Sequence, residues 1–344
     1  MASDQIPETM KAVRVHAFDG APGSVRVDEV PVPRPGSGEV LVRMAAAPVN
    51  PSDVMFTRGL YGFTKATPCV PGFEGAGTVV ASGGGMYSSW LVGKRVTCGV
   101  QEDADGTWSE YVVTSPTMCI PLPKEISDEQ GASLIVNPLT AMALLENAKR
   151  GGHKAAIHTA AASALGRMML RMSERDHYPV IHVVRRDEQA KLLREMGAKH
   201  VLDSSDSDFE EQLHERAKKL GATIAFDAVA GELTGKLLAA MPRGSEAVVY
   251  GALSLESCGV EPGQLIFERK RLSGFWLSDW IRKQGNLRLL LAMREVQRHI
   301  GSELSTAVAE RVPLSGAIEA IARYEENMTR GKVLLVPGGE GSQQ

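Results

Sequence analysis

The sequence predicts an α/β protein in two parts, a β-rich, barrel-like lobe and a doubly wound parallel-sheet unit. Three observations carry that prediction. Residues 11 to 120 alternate short Val-rich runs (KAVRVHAF, EVLVRMAAAPV, GAGTVVASG) with Pro and Gly punctuation such as PVPRPGSG. From about residue 126 the texture changes to apolar strands alternating with helical patterns, as βαβ units require. A length of 344 residues with 43% hydrophobic content supports about two packed domains.

In the second part, KAAIHTA reads as a strand, RMMLRMSER as the helix after it and PVIHVV as the next strand. QAKLLREMGA and HVLDSS repeat the alternation, and IAFDAV and EAVVYGAL extend the sheet. After residue 272 come a helix, NLRLLLAMREVQRHI, and a closing strand, GKVLLVPG. The end, GGEGSQQ, has no apolar pattern to dock it and is expected to fray. The expected division is 1–125 with 273–344 for the β-rich part, and 126–272 for the parallel sheet.

A formal net charge of -3 gives no overall field that would draw the chain to nucleic acid or an anionic membrane. The opening MASDQIPETMKAV carries Asp4 and Glu8 and lacks a secretory pattern, so it is expected to be retained. No run of about 20 apolar residues is present to span a bilayer. Cys69, Cys98, Cys119 and Cys258 lie far apart and form no CxxC, which fits a reducing cytoplasm.

The stretch HTAAASALGRMM at 158 to 169 is the first functional candidate. A phosphate-binding turn between strand and helix needs small residues, so that backbone N–H groups and the helix N-terminus can approach a pyrophosphate. Ala160, Ala161, Ala162, Ser163, Ala164, Leu165 and Gly166 keep most of the smallness with little glycine. A plain helix start is the alternative, and the flanking strands favour the cofactor turn. After the second strand stand Arg185 and Arg186, where NAD sites place an acidic residue and NADP sites accommodate the 2′-phosphate with Arg. Two guanidiniums favour NADPH, the other reading being a solvated charge pair.

With NPSD (50–53), GLYG (59–62), GFEGAGTVV (72–80), GTW (106–108), VNPLTA (136–141) and GFWLSDW (274–280) in view, the chain resembles the medium-chain dehydrogenase/reductase superfamily. Within it the likeness is to the zinc-free branch, first to mitochondrial-type 2-enoyl-CoA/acyl-carrier-protein reductases and next to quinone oxidoreductases. The resemblance implies a GroES-like catalytic domain split in sequence by a Rossmann domain, with the active site in the cleft. Ala164 departs from the glycine usual in the family's turn. Zinc enzymes of the superfamily supply Cys and His where this chain has Asn50 and Phe73, although Glu74 remains, so no metal is expected. The eight histidines show no HxxxH or HExxH spacing.

The resemblance further implies that NADPH passes hydride to the β-carbon of a 2-enoyl thioester, leaving charge on the thioester oxygen and a proton to be delivered to the α-carbon. Tyr61 matches the family's active-site tyrosine and can donate without being charged; otherwise it packs over a loop. Asn50 is expected at the ribose or carboxamide and Thr140 near the nicotinamide, with Asn137 and Lys332 also among the expected cofactor-binding residues. Tyr250, Gly251, Phe275, Trp276 and Leu277 are expected to pass beside the ring. Asn and Thr also cap helices and turns, and the aromatic residues also suit a core. Met142, where the family often has tyrosine, and Trp276 would shape the substrate pocket with Tyr61. Arg58, Lys65, Arg282 and Lys283 are candidates for the phosphates of CoA or a carrier protein, or ordinary surface charge. The edge-like ERKRLSGFWL suggests a homodimer. An NADPH:quinone or enone reductase and a cofactor-binding protein with little catalysis are the competing functions.

Overall fold

The computed structural model describes residues 6–338, so most of the terminal GGEGSQQ lies outside the described residues. Residues up to Val136, together with those from Ser305 onward, form one compact unit, and Asn137–Leu304 form the other. These divisions fall later than the 126 and 273 that the change of sequence texture suggests.

The second unit carries a parallel sheet of six strands among the described residues. Their order is Val201–Asp203, Val180–Val184, Ala155–His158, Ala222–Asp227, Glu246–Val249 and Arg271–Gly274. The first two connections run to one side of Ala155–His158 and the later ones to the other, so the strand order reverses beside it. Ligands of doubly wound folds bind at such a reversal, outside the carboxyl ends of the strands. Val180–Val184 is buried along its whole length, as a strand covered on both faces requires. The helix Ala164–Arg175 buries Leu165, Met168, Met169 and Met172, the i, i+3, i+4, i+7 stripe of a helix lying on a sheet. Arg271–Gly274 pairs with Glu246–Val249, and this keeps the chain in the second unit beyond residue 273.

In the first unit the long strand Val40–Pro48 organises a sheet of seven strands among the described residues, pairing with Glu74–Ser82, Tyr111–Thr114 and Lys332–Leu335. Because Leu334 and Leu335 lie opposite Pro48 and Ala47, this unit is completed only by the last strand of the chain. Trp108, fully buried, centres the core with Val49, Val54, Val333 and Leu335, and its Nε1 donates to Pro48 O at 3.1 Å. Cys98 and Cys119, distant in sequence, face each other across adjacent strands as buried thiols.

Candidate active site

In the first unit the strand Val40–Pro48 delivers Asn50 to the start of the helix Pro51–Thr57. Asp53 reaches back one turn, its Oδ2 accepting from Asn50 N at 2.8 Å and its Oδ1 from Phe73 N at 3.1 Å. Asn50 is fully buried: its Nδ2 donates to Glu74 Oε1 at 3.0 Å, and its Oδ1 accepts from Lys332 Nζ. Glu74 Oε2 accepts from Ile135 N at 2.8 Å and Val136 N at 3.0 Å, placing a carboxylate at the N-terminus of the helix Val136–Arg150. That end of a helix favours negative charge. All four side chains are out of solvent. Burial raises the Asp53 and Glu74 carboxyls and lowers the Lys332 ammonium, while the lysine charge pulls both carboxyls back toward ionisation. The fold thus brings Asn50 and Lys332 together, with Asp53 and Glu74 as partners.

Next to this network lies Tyr61. Its ring meets Phe73 at 4.8 Å between centroids and Phe63 at 5.3 Å, in a cluster with Phe56, Cys69 and Phe18. Phe73 directly precedes Glu74, so one peptide step joins the aromatic wall to the buried charges. Tyr61 is half-buried.

In the second unit the strand Ala155–His158 leads through Thr159 into the turn. Ala160 takes the left-handed conformation, φ 47°, at a cost of roughly 1–2 kcal/mol that a glycine would not meet. Ser163 caps the helix by accepting from Gly166 N at 3.1 Å. A Cβ on Gly166 would stand 2.2 Å from Ala161 O, so only glycine lets this helix pack against the turn. With Gly166 N satisfied by the cap, the N–H groups of Ala164 and Leu165 remain as donors that the helix itself cannot use. This donor set fits a pyrophosphate. Arg185 and Arg186 follow the end of Val180–Val184 with exposed side chains, and Arg186 lies 3.8 Å from Glu188.

The other expected residues are more dispersed. Asn137 and Thr140 are buried and Met142 half-buried on the helix Val136–Arg150. Tyr250 stacks on His158, their hydroxyl and Nε2 2.7 Å apart. Gly251 admits Ala228, whose carbonyl oxygen would be 2.9 Å from any Cβ there. Phe275 N donates to Val249 O at 2.9 Å, and Trp276 precedes the helix Leu277–Lys283, its ring covered by Arg282 at 4.9 Å.

Sequence reasoning missed three members of these clusters. Asp53 closes NPSD, His158 sits inside KAAIHTA, and Asp227 sits inside IAFDAV. Buried Asp227 accepts from Thr159 Oγ1 at 2.8 Å, Val229 N at 2.9 Å and Thr234 Oγ1 at 2.7 Å, locking the two strands at the reversal point. For His158 and Asp227 the available signal was an imidazole or a charge inside an apolar strand.

A lobe completed by the last strand and a doubly wound sheet with a strand-turn-helix donor set together define a two-domain dehydrogenase. The Alcohol dehydrogenase GroES-like domain matches residues 36–124, and the Zinc-binding dehydrogenase domain matches 164–292. The mitochondrial enoyl-[acyl-carrier-protein] reductase of Xenopus tropicalis is 32% identical, covering 78% of this chain and 78% of its own. Its Homo sapiens counterpart is 29% identical, covering 86% and 80%. A Mesorhizobium loti structure provisionally described as an NADPH:quinone reductase is 38% identical with a TM-score of 0.88, covering 97% of this chain and 100% of that one. A mycobacterial structure complexed with NADPH is 28% identical with a TM-score of 0.79, covering 95% and 100%. The chain belongs to the medium-chain dehydrogenase/reductase family and is an oxidoreductase.

The residues do not fit the zinc implied by part of that family. Asn50 and Glu74 are engaged with each other, Phe73 supplies no ligand atom, and the nearest cationic group is Lys332, which would repel a metal ion. Among the described residues no cluster of three or more His, Cys, Asp or Glu side chains could hold one. No described helix is long and apolar enough to cross a membrane.

Proposed function

We propose that this protein is a zinc-independent, NADPH-dependent reductase that sends hydride to the β-carbon of a 2-enoyl thioester. The observation that supports it best is the packing of Phe73 on Tyr61. The position that carries a metal ligand in zinc relatives here forms the wall against which a hydroxyl donor rests. NADPH, when bound, supplies the hydride. The N–H groups of Ala164 and Leu165 would hold its pyrophosphate, and Arg185 and Arg186 its 2′-phosphate. Tyr61 would donate toward the thioester oxygen as charge develops there, or deliver the proton to the α-carbon. Lys332 and Asn50, fixed by Glu74 and Asp53, would present the ribose or carboxamide with one preset arrangement. Asn137, Thr140, Tyr250, Gly251, Phe275, Trp276 and Leu277 complete the proposed cofactor set, and Met142 and Trp276 the substrate pocket.

The 38% identity to a structure described as an NADPH:quinone reductase supports a second reading, hydride transfer to a quinone or enone. NADPH absorbance with crotonyl-CoA, an uncharged crotonyl thioester and a simple quinone separates the two. Strong preference for the quinone rejects the thioester reading. Tyr61→Phe should lower turnover at least about a hundredfold, the low end for a lost proton donor, with little change in NADPH affinity; unchanged turnover removes Tyr61 from the chemistry.

A further inference from the structure

In the first unit Cys98 and Cys119 stand directly opposite each other on antiparallel neighbours, the strands Arg95–Gly99 and Cys119–Pro121. Antiparallel strands alternate between pairs that exchange backbone hydrogen bonds and pairs that do not, and in the second kind the Cα atoms come within about 4.5 Å. Leu122 N fixes the phase of this ladder by donating to Arg95 O at 2.9 Å, one step beyond Val96 and Pro121 in the same register. Thr97 with Ile120 therefore repeats the bonded kind, while Val96 with Pro121 and Cys98 with Cys119 are the close, non-bonded kind. Pro121, which has no N–H to give, stands where the ladder asks for none. The Cys119 backbone agrees: its N–H donates to Pro116 O and its carbonyl accepts from the Tyr87 hydroxyl at 3.5 Å, neither of them on the paired strand. Opposite residues point to one face, and both thiols lie in a single apolar cluster with Val42, Val79, Leu91 and Val96. A disulfide spans Cα separations of about 4.4–6.8 Å, so this pair closes with little backbone movement.

We infer that Cys98 and Cys119 are a dithiol modification site, which a small-molecule disulfide oxidises to one intrachain bond that reversibly clamps the end of the sheet. While the strands are closed neither thiol reacts. Each is at most 1% exposed, and burial pushes the Cys119 thiol up to about 12 and raises Cys98 as well. Cys119–Pro121 is only three residues long and ends the sheet among the described residues, so it opens at less cost than the strands inside. Once it opens, Cys119 gives up its proton and the thiolate attacks a sulfur of glutathione disulfide, forming a mixed disulfide and releasing one glutathione thiolate. The Cys98 thiolate then attacks Cys119 Sγ, closing the bond and releasing the second glutathione. Two electrons pass from the protein sulfurs to the glutathione sulfurs, and the two thiol protons end on the released glutathione. When the strand closes again, the bond ties it to Cys98, which lies opposite Gly75 and so beside the buried Glu74.

The test incubates the native protein with oxidised glutathione, quenches with acid, alkylates the remaining thiols after denaturation and maps the peptides by mass spectrometry. Trypsin leaves both cysteines in the peptide 96–124, so the bond shows as the loss of two hydrogens and of both alkyl groups. Cleavage at Glu102 and Glu110 should then leave the two cysteine fragments linked, and dithiothreitol should restore both thiols. Half-exposed Cys258 is the control, and its glutathione adduct shows that the oxidant has acted. Cys98 and Cys119 both alkylated once Cys258 is modified overturns the inference, and so do separate glutathione adducts on the two or a bond from either to Cys69. In the oxidised protein amide hydrogen exchange over 119–122 should slow by at least about tenfold, because the edge can no longer open alone. Unchanged exchange there in the cross-linked protein overturns the clamp.

Discussion

His182 and His158 lie opposite each other on neighbouring strands, each at most 1% exposed. Neither Nδ1 has a hydrogen-bond partner among the described residues. Burial pushes each imidazole from 6.5 down to about 3, with the neighbouring His158 and His200 adding to the effect on His182. The folded protein therefore holds both neutral, while the unfolded chain takes up protons below pH 6.5. Stability from this source is complete above that value and is lost as the pH falls toward the folded value. At pH 5 the deficit is roughly 1.5 pH units, or about 2 kcal/mol per histidine at about 1.36 kcal/mol per unit. Asp53 works in the opposite direction. Raised to about 7, it keeps its proton in the folded state as the pH drops, so the parent protein alone gives a mixed slope. The difference between parent and His182→Leu isolates the imidazole, because Asp53 titrates in both and any packing cost is present at both pH values. Urea unfolding at pH 7 and pH 5 is the assay. The variant should lose about 2 kcal/mol less than the parent between the two, near 1 M in midpoint for a slope of about 2 kcal/mol per M. Equal losses would refute the claim that His182 is held neutral by burial.

Three further outcomes follow from the same structure. Replacing Arg185 and Arg186 together by Ala should cost NADPH about 1.5–3 kcal/mol of binding and NADH far less, measured by fluorescence titration; unchanged NADPH affinity refutes their role. Lys332→Met leaves Asp53 and Glu74 buried without their cation, which should cost about 3–5 kcal/mol in denaturant unfolding and raise the pH at which these carboxyls ionise; a loss below about 1 kcal/mol contradicts the network. The strand Arg271–Gly274 ends the six-stranded sheet, with Leu272 40% exposed and Phe267 74% exposed nearby, so a homodimer formed through this edge is proposed. Sedimentation showing only monomer at micromolar concentration rejects it.

Period and punctuation determined the fold. The short Val-rich runs broken by Pro and Gly in the first part, the strand-helix alternation after residue 126 and the turn ending in Gly166 are local patterns, and each reports where an element is apolar or how tightly the backbone must turn. That Asn50 and Phe73 stand where zinc relatives carry Cys and His came from the family resemblance, not from a local pattern. What local patterns could not show was which distant residues meet. Lys332 reaches Asn50 only because the last strand pairs beside Val40–Pro48, and Arg271–Gly274 stays with the parallel sheet through bonds to a strand some twenty-five residues earlier. The buried Asp53, Glu74 and Lys332 charges and the two neutral histidines share that origin. Their ionisation depends on burial and on neighbours far away in sequence, and those are fixed only when the sheets close.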